Sequence, residues 1–122
     1  MTHPKKTLVV GASNNSERYS FKAIQALLNH GHPVEAIGKR ETTIGKIEIL
    51  TGEPHLEEID TITLYLSADN QAPLHKYFIS LHPKRIIFNP GAENPSLEQL
   101  ATSQGITCQH ACTLVLLATG QY

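Results

Sequence analysis

The chain has 122 residues, 40% of them hydrophobic, and a formal net charge of −1. This length predicts one domain, with room for a hydrophobic core but not for a cofactor domain plus a substrate domain. The lack of a basic excess argues against a general nucleic-acid-binding protein, and no apolar run reaches the roughly 18 residues of a membrane span. We expect a cytoplasmic protein, because the apolar run at 8–10 is too short for a signal-peptide core.

Strand-like and helix-like segments alternate along the chain. Strands are predicted at Thr7–Val10, Val34–Ile37, 59–66, Arg85–Phe88 and 106–109. Helices are predicted at Tyr19–Asn29, at 73–81 with Pro73 in the first turn, and from Asn94 to Gly105. The weaker alternation at 44–50 predicts an edge strand or an extended loop, and 114–118 fits a helix and a strand equally well.

The first and last of these helices each have a predicted apolar face. These faces contain Phe21, Ile24, Leu27 and Leu28 in the first helix and Leu97, Leu100 and Ala101 in the last.

The alternation of strands and helices predicts βαβ units with right-handed crossovers. We therefore predict an α/β fold: a single three-layer, doubly wound, Rossmann-like domain whose mostly parallel sheet has about five strands. In such a sheet, ligands bind beyond the carboxyl ends of the strands, where the strand order reverses. Small or polar residues follow the predicted strands at 11–13, 38–40, 67–68 and 89–91, which favours a binding site there.

The first turn has features of an anion site. An apolar strand ends on Gly11 and a helix follows, so backbone N–H groups of the turn and of the first helical turn are expected to face outward. From Gly11 the sequence reads GASNNS, which keeps only the first glycine of the dinucleotide fingerprint G-x-G-x-x-G. Arg18 can bind a phosphate through two N–H groups. The alternative is an ordinary helix-capping turn with a solvated arginine.

The end of the second strand separates the possible nucleotides. An NAD site has an acidic residue there for the ribose hydroxyls, whereas this chain has Gly38, Lys39 and Arg40. Two cations at this place suit a phosphorylated ribose, either the 2′-phosphate of NADP or the 3′-phosphate of coenzyme A. The alternative is a pair of solvated loop side chains.

No arrangement of residues predicts catalysis. The Tyr-x-x-x-Lys pair of many reductases is absent, and Tyr65, His75, Tyr77 and His82 fit core or surface positions. The cluster of Cys108, His110 and Cys112 raises a metal site as an alternative to buried free thiols. We favour the thiols, because no fourth ligand is evident nearby.

The segment VVGASNN at 9–15, followed by Glu17 and Arg18, resembles small stand-alone bacterial CoA-binding proteins. These proteins are similar to the N-terminal CoA-binding domain of the succinyl-CoA ligase α subunit. The resemblance continues to about residue 112, through His30-Gly31, Ile44-Gly45-Lys46, Ile59-Asp60 and the segment 94–105.

The resemblance implies that the glycine loop holds the pyrophosphate and that the second strand's end meets the phosphorylated ribose. It implies that the turns after two further strands line the adenine and pantetheine side. By position, the implied cofactor-binding residues are Gly11, Ala12, Ser13, Asn14, Arg18, Ser20, Gly38, Lys39, Arg40, Ser67, Asn89 and Pro90.

The chain departs from its relatives at two of these places. Ile37-Gly38-Lys39 stands where relatives typically have Val-Asn-Pro, and Phe88-Asn89-Pro90-Gly91 stands where many have Trp-x-Gln-x-Gly. The catalytic lobes of the ligase are absent, so ligase activity is not implied. We predict a non-catalytic module that binds CoA or an acyl-CoA and acts as a sensor, carrier or partner of an enzyme. An NADP-binding reductase component and an interaction domain with a vestigial nucleotide site remain as alternatives.

Overall fold

The computed structural model describes residues 3–122, which form one sheet with helices on both faces. The strands are β1 (Thr7–Val10), β2 (Val34–Ile37), β3 (Thr42–Ile44), β4 (Ile47–Leu50), β5 (Thr61–Leu64), β6 (Arg85–Phe88) and β7 (Thr107–His110). The helices are α1 (Tyr19–Asn29), α2 (Ala68–Gln71), α3 (His75–Ser80), α4 (Pro95–Ser103) and α5 (Thr113–Ala118), with a 3₁₀ turn at Ala72–Leu74 between α2 and α3.

The seven strands lie in the order β3-β4-β2-β1-β5-β6-β7. Every neighbouring pair is parallel except β3 and β4, which are antiparallel. In the centre, Thr7 of β1 lies opposite Val34 of β2 on one side and Thr61 of β5 on the other. The α/β, mostly parallel, Rossmann-like fold is therefore confirmed.

The predicted number of strands was too low. The segment 44–50 is the larger part of a hairpin: β3 and β4 are joined by a turn at Gly45, whose φ of 58° is left-handed, and β4 extends the sheet beside β2. β3 is too short to show alternation in the sequence. The segment 59–66 pairs only over Thr61–Leu64, and 114–118 lies in a helix, α5.

Two leucines of the predicted helix faces are not buried. Leu28 of α1 is 42% exposed and Leu100 of α4 is 38% exposed. On α1 the buried stripe instead contains the small residues Ser20 and Ala23 beside Ile24 and Leu27. Apolar periodicity marks large residues and therefore misses this part of the contact.

Each face of the sheet has its own hydrophobic core. One core includes Leu8, Ile62, Ile86 and Phe78, and the other includes Val9 and residues of α1 and α5. Because both faces are covered, the sheet edges and strand ends are where polar residues can converge. No helix within residues 3–122 combines the length and apolar character needed to cross a membrane.

Candidate functional site

A large open cavity lies at the carboxyl ends of the central strands. The chain runs outward from β1 in both directions, to β2 and β4 on one side and to β5, β6 and β7 on the other. The connections therefore diverge at β1, which leaves a crevice above its end. The cavity there has a volume of about 910 Å³, within the usual range for a small-molecule or cofactor site. We call it the main cavity.

Most residues of the predicted site line the main cavity. They are Gly11, Ala12, Ser13, Asn14, Arg18 and Ser20 from the β1–α1 connection, Lys39 and Arg40 after β2, Ser67 after β5, and Pro90 after β6. Residues far apart in the sequence therefore meet at one place, as the parallel topology requires.

Gly38 and Asn89 are the two members of the predicted site that do not line the main cavity. Asn89 is buried, and its Nδ2 donates hydrogen bonds to Thr63 Oγ1 (2.7 Å) and to the Leu64 carbonyl (2.9 Å). Its Oδ1 accepts the backbone N–H of Thr113 at 2.8 Å. The Asn89 side chain thus joins β6 to β5 and to α5, so its polar atoms are satisfied inside the fold.

The backbone N–H groups of the glycine turn are not all available to a ligand. Those of Gly11 and Ala12 both donate to the Ile37 carbonyl, at 3.0 and 2.9 Å. The expectation that they face outward is therefore wrong for these two residues. The turn instead closes against the end of β2, so an anion at this place would contact later N–H groups and side chains.

The start of α1 supplies such N–H groups. Arg18 is the N-cap residue and its side chain makes no capping hydrogen bond, and the first turn of the helix contains no acidic residue. The first N–H groups of a helix have no partner within the helix, and the dipole makes this end positive. Because Arg18, Tyr19 and Ser20 also line the main cavity, the positive end of α1 faces a space that can hold an anion.

The charged side chains around the main cavity are mostly basic. Arg18, Lys39 and Arg40 line it, and Glu17 is the acidic residue of its lining. Within residues 3–122, none of these three cations forms an ion pair with a carboxylate. A cavity with more than one uncompensated cation favours a ligand with several negative charges.

A smaller apolar cavity adjoins the main one. It has a volume of about 220 Å³ and is lined by side chains that include Val10, Ile37, Leu66 and Leu74, with Gly38 and Gly52 at its margin. It shares Gly11, Lys39, Leu66 and Asn70 with the main cavity. The combined site offers a cationic region beside an apolar recess, which suits a ligand with phosphates and a flat apolar group.

Tyr65 is a cavity residue that sequence reasoning assigned to the interior of a strand. Because β5 ends at Leu64, Tyr65 belongs to the turn and lines the main cavity. Its hydroxyl is buried near Thr63 and Thr113 but has no hydrogen-bond partner within residues 3–122. Burial raises the pKa of this hydroxyl to about 12, so it is protonated at neutral pH and can only donate or accept a hydrogen bond.

Thr42 and Asn70 were also missed. Thr42 comes to the cavity through the β3–β4 hairpin, where its Oγ1 accepts a hydrogen bond from Asn14 Nδ2 at 3.1 Å. Asn70 lies on the short helix α2, which the sequence did not distinguish from the helix predicted after it. The only signal for either residue is proximity to a strand end.

Neither cysteine is among the residues that line the main cavity. Cys108 and Cys112 are both free and partly buried, and burial raises the pKa of the Cys108 thiol. Residues 3–122 contain no group of three or more histidine, cysteine or acidic side chains arranged to hold a metal ion.

The fold is shared with several proteins of known structure. An uncharacterised protein with a crystal structure is 39% identical and has a TM-score of 0.96, with 99% of this chain and 100% of that chain covered. A hypothetical protein from Pyrococcus horikoshii is 20% identical with a TM-score of 0.80, covering 93% of this chain and 82% of that one.

A larger enzyme contains the same fold as one of its parts. The dinucleotide-forming acetyl-coenzyme A synthetase 1 of Ca. Korarchaeum cryptofilum, in complex with phosphate and ADP, is 18% identical with a TM-score of 0.70. The matched region covers 88% of this chain but only 26% of the enzyme. Comparison with curated proteins gives no match.

A family model described as a CoA binding domain matches residues 5–118. The matched segment includes every residue that lines the main cavity. The chain therefore belongs to the CoA-binding domain family.

Proposed function

We propose that the protein binds coenzyme A or an acyl-CoA in the main cavity and performs no chemistry on it by itself. In this proposal the pyrophosphate lies at the Gly11–Ser13 turn and the start of α1, and the 3′-phosphate lies at Lys39 and Arg40. The pantetheine arm runs toward the turns that contain Ser67 and Pro90. Family membership and the position of the cavity support this assignment.

The observation that carries the proposal is the set of three cations around the cavity that form no ion pair with a carboxylate of the described residues. Arg18 lies at the start of α1, whereas Lys39 and Arg40 follow β2. This arrangement offers positive charge at two places, and CoA carries phosphate groups at two places, on the ribose and in the pyrophosphate. NAD lacks the ribose phosphate, and its ribose hydroxyls would find cations where an acceptor is needed.

The adjoining apolar cavity also fits this ligand. An adenine ring is flat and largely apolar, and the recess beside Lys39 is bordered by Ile37, Leu66 and Leu74. Asn70 supplies a side-chain amide at its edge, which can donate to a ring nitrogen and accept from the exocyclic amine. The site thus offers positive charge for the phosphates of the nucleotide and an apolar recess for its base.

The lining of the main cavity supports a binding role over a catalytic one. Its titratable side chains, besides the cations, are Glu17, Tyr19 and Tyr65. The Tyr65 hydroxyl, with its pKa raised to about 12 by burial, is a poor general base near neutral pH, because efficient acid–base groups have a pKa near the working pH.

The test is calorimetric titration of the purified protein with CoA, acetyl-CoA, NADP and NAD. We expect CoA or acetyl-CoA to bind, and NAD to give no heat of binding. A ligand at 100 times its dissociation constant adds about 2.7 kcal/mol to the free energy of unfolding, so the melting temperature should rise by several degrees with CoA.

Arg18→Ala serves as the site variant and Lys76→Ala as its control, because Lys76 lies on α3 and does not line the main cavity. Weaker CoA binding is expected in the first variant only. Tighter binding of NADP than of CoA would show that the reductase alternative is correct. No binding of any of the four compounds would favour the vestigial-site alternative.

A further inference from the structure

The side-chain amide of Gln71 connects two turns that line the main cavity. Gln71 is the last residue of α2 and its exposed fraction is 0%. Its Nε2 donates one hydrogen bond to the Leu66 carbonyl at 2.7 Å and another to the Ala92 carbonyl at 2.8 Å. Leu66 and Ala92 both line the main cavity, whereas Gln71 does not.

The two hydrogen bonds of Gln71 lie just beyond the end of the pairing between β5 and β6. The ladder between β5 and β6 stops at the pair of Leu64 and Phe88. Beyond that pair the two segments are no longer joined by backbone hydrogen bonds of the sheet. The amide group of Gln71 joins them again, because each of its two N–H groups is used by a carbonyl from one segment.

The orientation of the amide is determined by its neighbours. Its Oε1 accepts a hydrogen bond from Asn94 Nδ2 at 2.9 Å, and Asn94 Oδ1 accepts the backbone N–H of Leu97 at 3.2 Å. The second N–H of Asn94 Nδ2 points to His75 Nε2 at 2.9 Å. Neither amide can be flipped. The carbonyls of Leu66 and Ala92 require the N–H groups of Gln71, and the N–H of Leu97 requires the oxygen of Asn94.

The side-chain amides of Gln71 and Asn94 therefore have a partner for every N–H group and for each oxygen, and each amide has one orientation. His75 Nε2 is the acceptor of this N–H, because the Asn94 amide is oriented by Leu97. Buried networks in which every group is paired hold their members in one arrangement, whereas a missing member leaves unpaired polar groups. Here the members lie on α2, α3 and the start of α4, directly behind the cavity wall.

We propose that Gln71 is a positioning residue for the pantetheine half of the ligand: it sets the separation of the Leu66–Ser67 and Pro90–Ala92 turns without touching the ligand. The inference rests on the proposed function, since it assigns these turns to the pantetheine arm. The phosphates of the nucleotide half lie at the other side of the site, near Arg18, Lys39 and Arg40, where the backbone is held by separate bonds from Gly11, Ala12 and Gly38. The apolar recess proposed for its adenine ring is lined by one residue of these two turns, Leu66.

The test compares two ligands in one variant. Gln71→Met keeps the length of the side chain but removes both donors. Affinity is measured for CoA and for adenosine 3′,5′-bisphosphate, which has the nucleotide part alone. We expect Gln71→Met to weaken CoA binding by at least about fivefold and to weaken binding of the bisphosphate by a clearly smaller factor, because only Leu66 of the two turns also borders the recess proposed for adenine. Gln71→Glu should weaken CoA binding further at neutral pH, because its carboxylate would face two carbonyl oxygens.

Thr7→Val is the matched control for a loss of stability. Thr7 is also fully buried, and its hydroxyl bonds to the Lys5 carbonyl and to the Tyr122 hydroxyl at the amino ends of the strands. This variant should melt at a lower temperature and bind CoA as the wild type does. Binding is measured well below the melting temperature of each variant, so that only folded protein is compared.

The outcomes separate the inference from the proposed function. A wild-type protein that binds no CoA overturns the proposed function. A wild type that binds CoA together with a Gln71→Met variant of equal affinity overturns the positioning role, as does an equal loss for both ligands. Should Gln71→Met fail to fold, Asn94→Asp takes its place: it keeps the cap on Leu97 but removes the donor to Gln71, and the same difference between the two ligands is expected.

Discussion

Gly38 lies so close to the Ala12 carbonyl that a Cβ atom on Gly38 would overlap that oxygen. The φ angle of Gly38 is not in the left-handed region, so the requirement for glycine is one of space and not of backbone conformation. The contact joins the end of β2 to the turn after β1. The two connections that border the adjoining cavities are therefore packed directly against one another.

Replacement of Gly38 by alanine should separate these two connections. We expect Gly38→Ala to lower the free energy of unfolding by about 1–3 kcal/mol, as overpacking commonly does, and to weaken CoA binding. Chemical denaturation and calorimetry measure the two effects. Gly31→Ala is the control: an added Cβ there meets no atom within 4 Å, so only its left-handed φ is strained. A Gly38→Ala protein with wild-type stability would contradict the packing argument.

The basic pair after β2 should distinguish CoA from dephospho-CoA. Both side chains are exposed, so we expect a preference for CoA on the order of tenfold that shrinks as salt is added. Lys39→Ala/Arg40→Ala should remove the preference and leave dephospho-CoA binding unchanged. Lys46→Ala/Lys76→Ala, at two exposed positions that do not line the main cavity, is the control of equal charge change. An unchanged preference in the double variant would place the 3′-phosphate elsewhere.

Stability should fall in mild acid because of His32. This ring is buried, and its Nδ1 accepts the backbone N–H of Lys5 at 2.9 Å. Burial lowers its pKa, as do the charges of Lys5, His30 and Arg85, while Asp60 opposes them. The unfolded chain therefore binds a proton more readily, so the stability is complete above the unfolded value of about 6.5 and decreases as the pH falls below it.

Thermal melts between pH 7 and pH 5 measure this effect. In His32→Asn the Oδ1 atom can still accept the Lys5 N–H but does not titrate, so the melting temperature of that variant should depend less on pH. His3→Asn removes an exposed histidine and is the control. Equal pH dependence in the wild type and in His32→Asn would assign the acid sensitivity to other groups.

His82 should be replaceable by glycine with a gain in stability. It follows α3 with a left-handed φ of 49°, and its backbone N–H donates to the Ile79 carbonyl at 3.0 Å. Glycine adopts this helix-terminating conformation without a steric cost, so we expect His82→Gly to raise the free energy of unfolding by up to about 1 kcal/mol. His55→Gly, at an exposed position without a left-handed φ, should be destabilising.

The architecture was largely predictable because each buried strand is a short run of β-branched or apolar residues between helices. The bounds of β1, α1, β2 and β6 were predicted as the structure has them. The β3–β4 hairpin was not recognised, because three-residue β3 is half exposed and gives no period. Leu28 and Leu100 were expected inside the core because periodicity does not record which helix rows contain the small residues that permit close packing.

The site was predictable where it depends on strand ends and less so where it depends on local geometry. Position alone brought Ser13, Lys39 and Ser67 to one cavity. The sequence could not reveal that the Asn89 side chain makes its hydrogen bonds inside the fold, since an asparagine at a strand end can bind either a ligand or the protein itself. Nor could it reveal that one carbonyl, that of Ile37, accepts the N–H groups of both Gly11 and Ala12.

Because the Ile37 carbonyl accepts both N–H groups, the glycine turn and the charged side chains have different roles in the site. The N–H groups of Gly11 and Ala12 are already hydrogen-bonded within the fold. The charges that would determine which ligand binds are carried by exposed side chains next to this turn. Surface substitutions away from packed features usually change stability little. Exchange of Arg18, Lys39 or Arg40 can therefore redirect the preference of this scaffold toward another anion while its architecture stays intact.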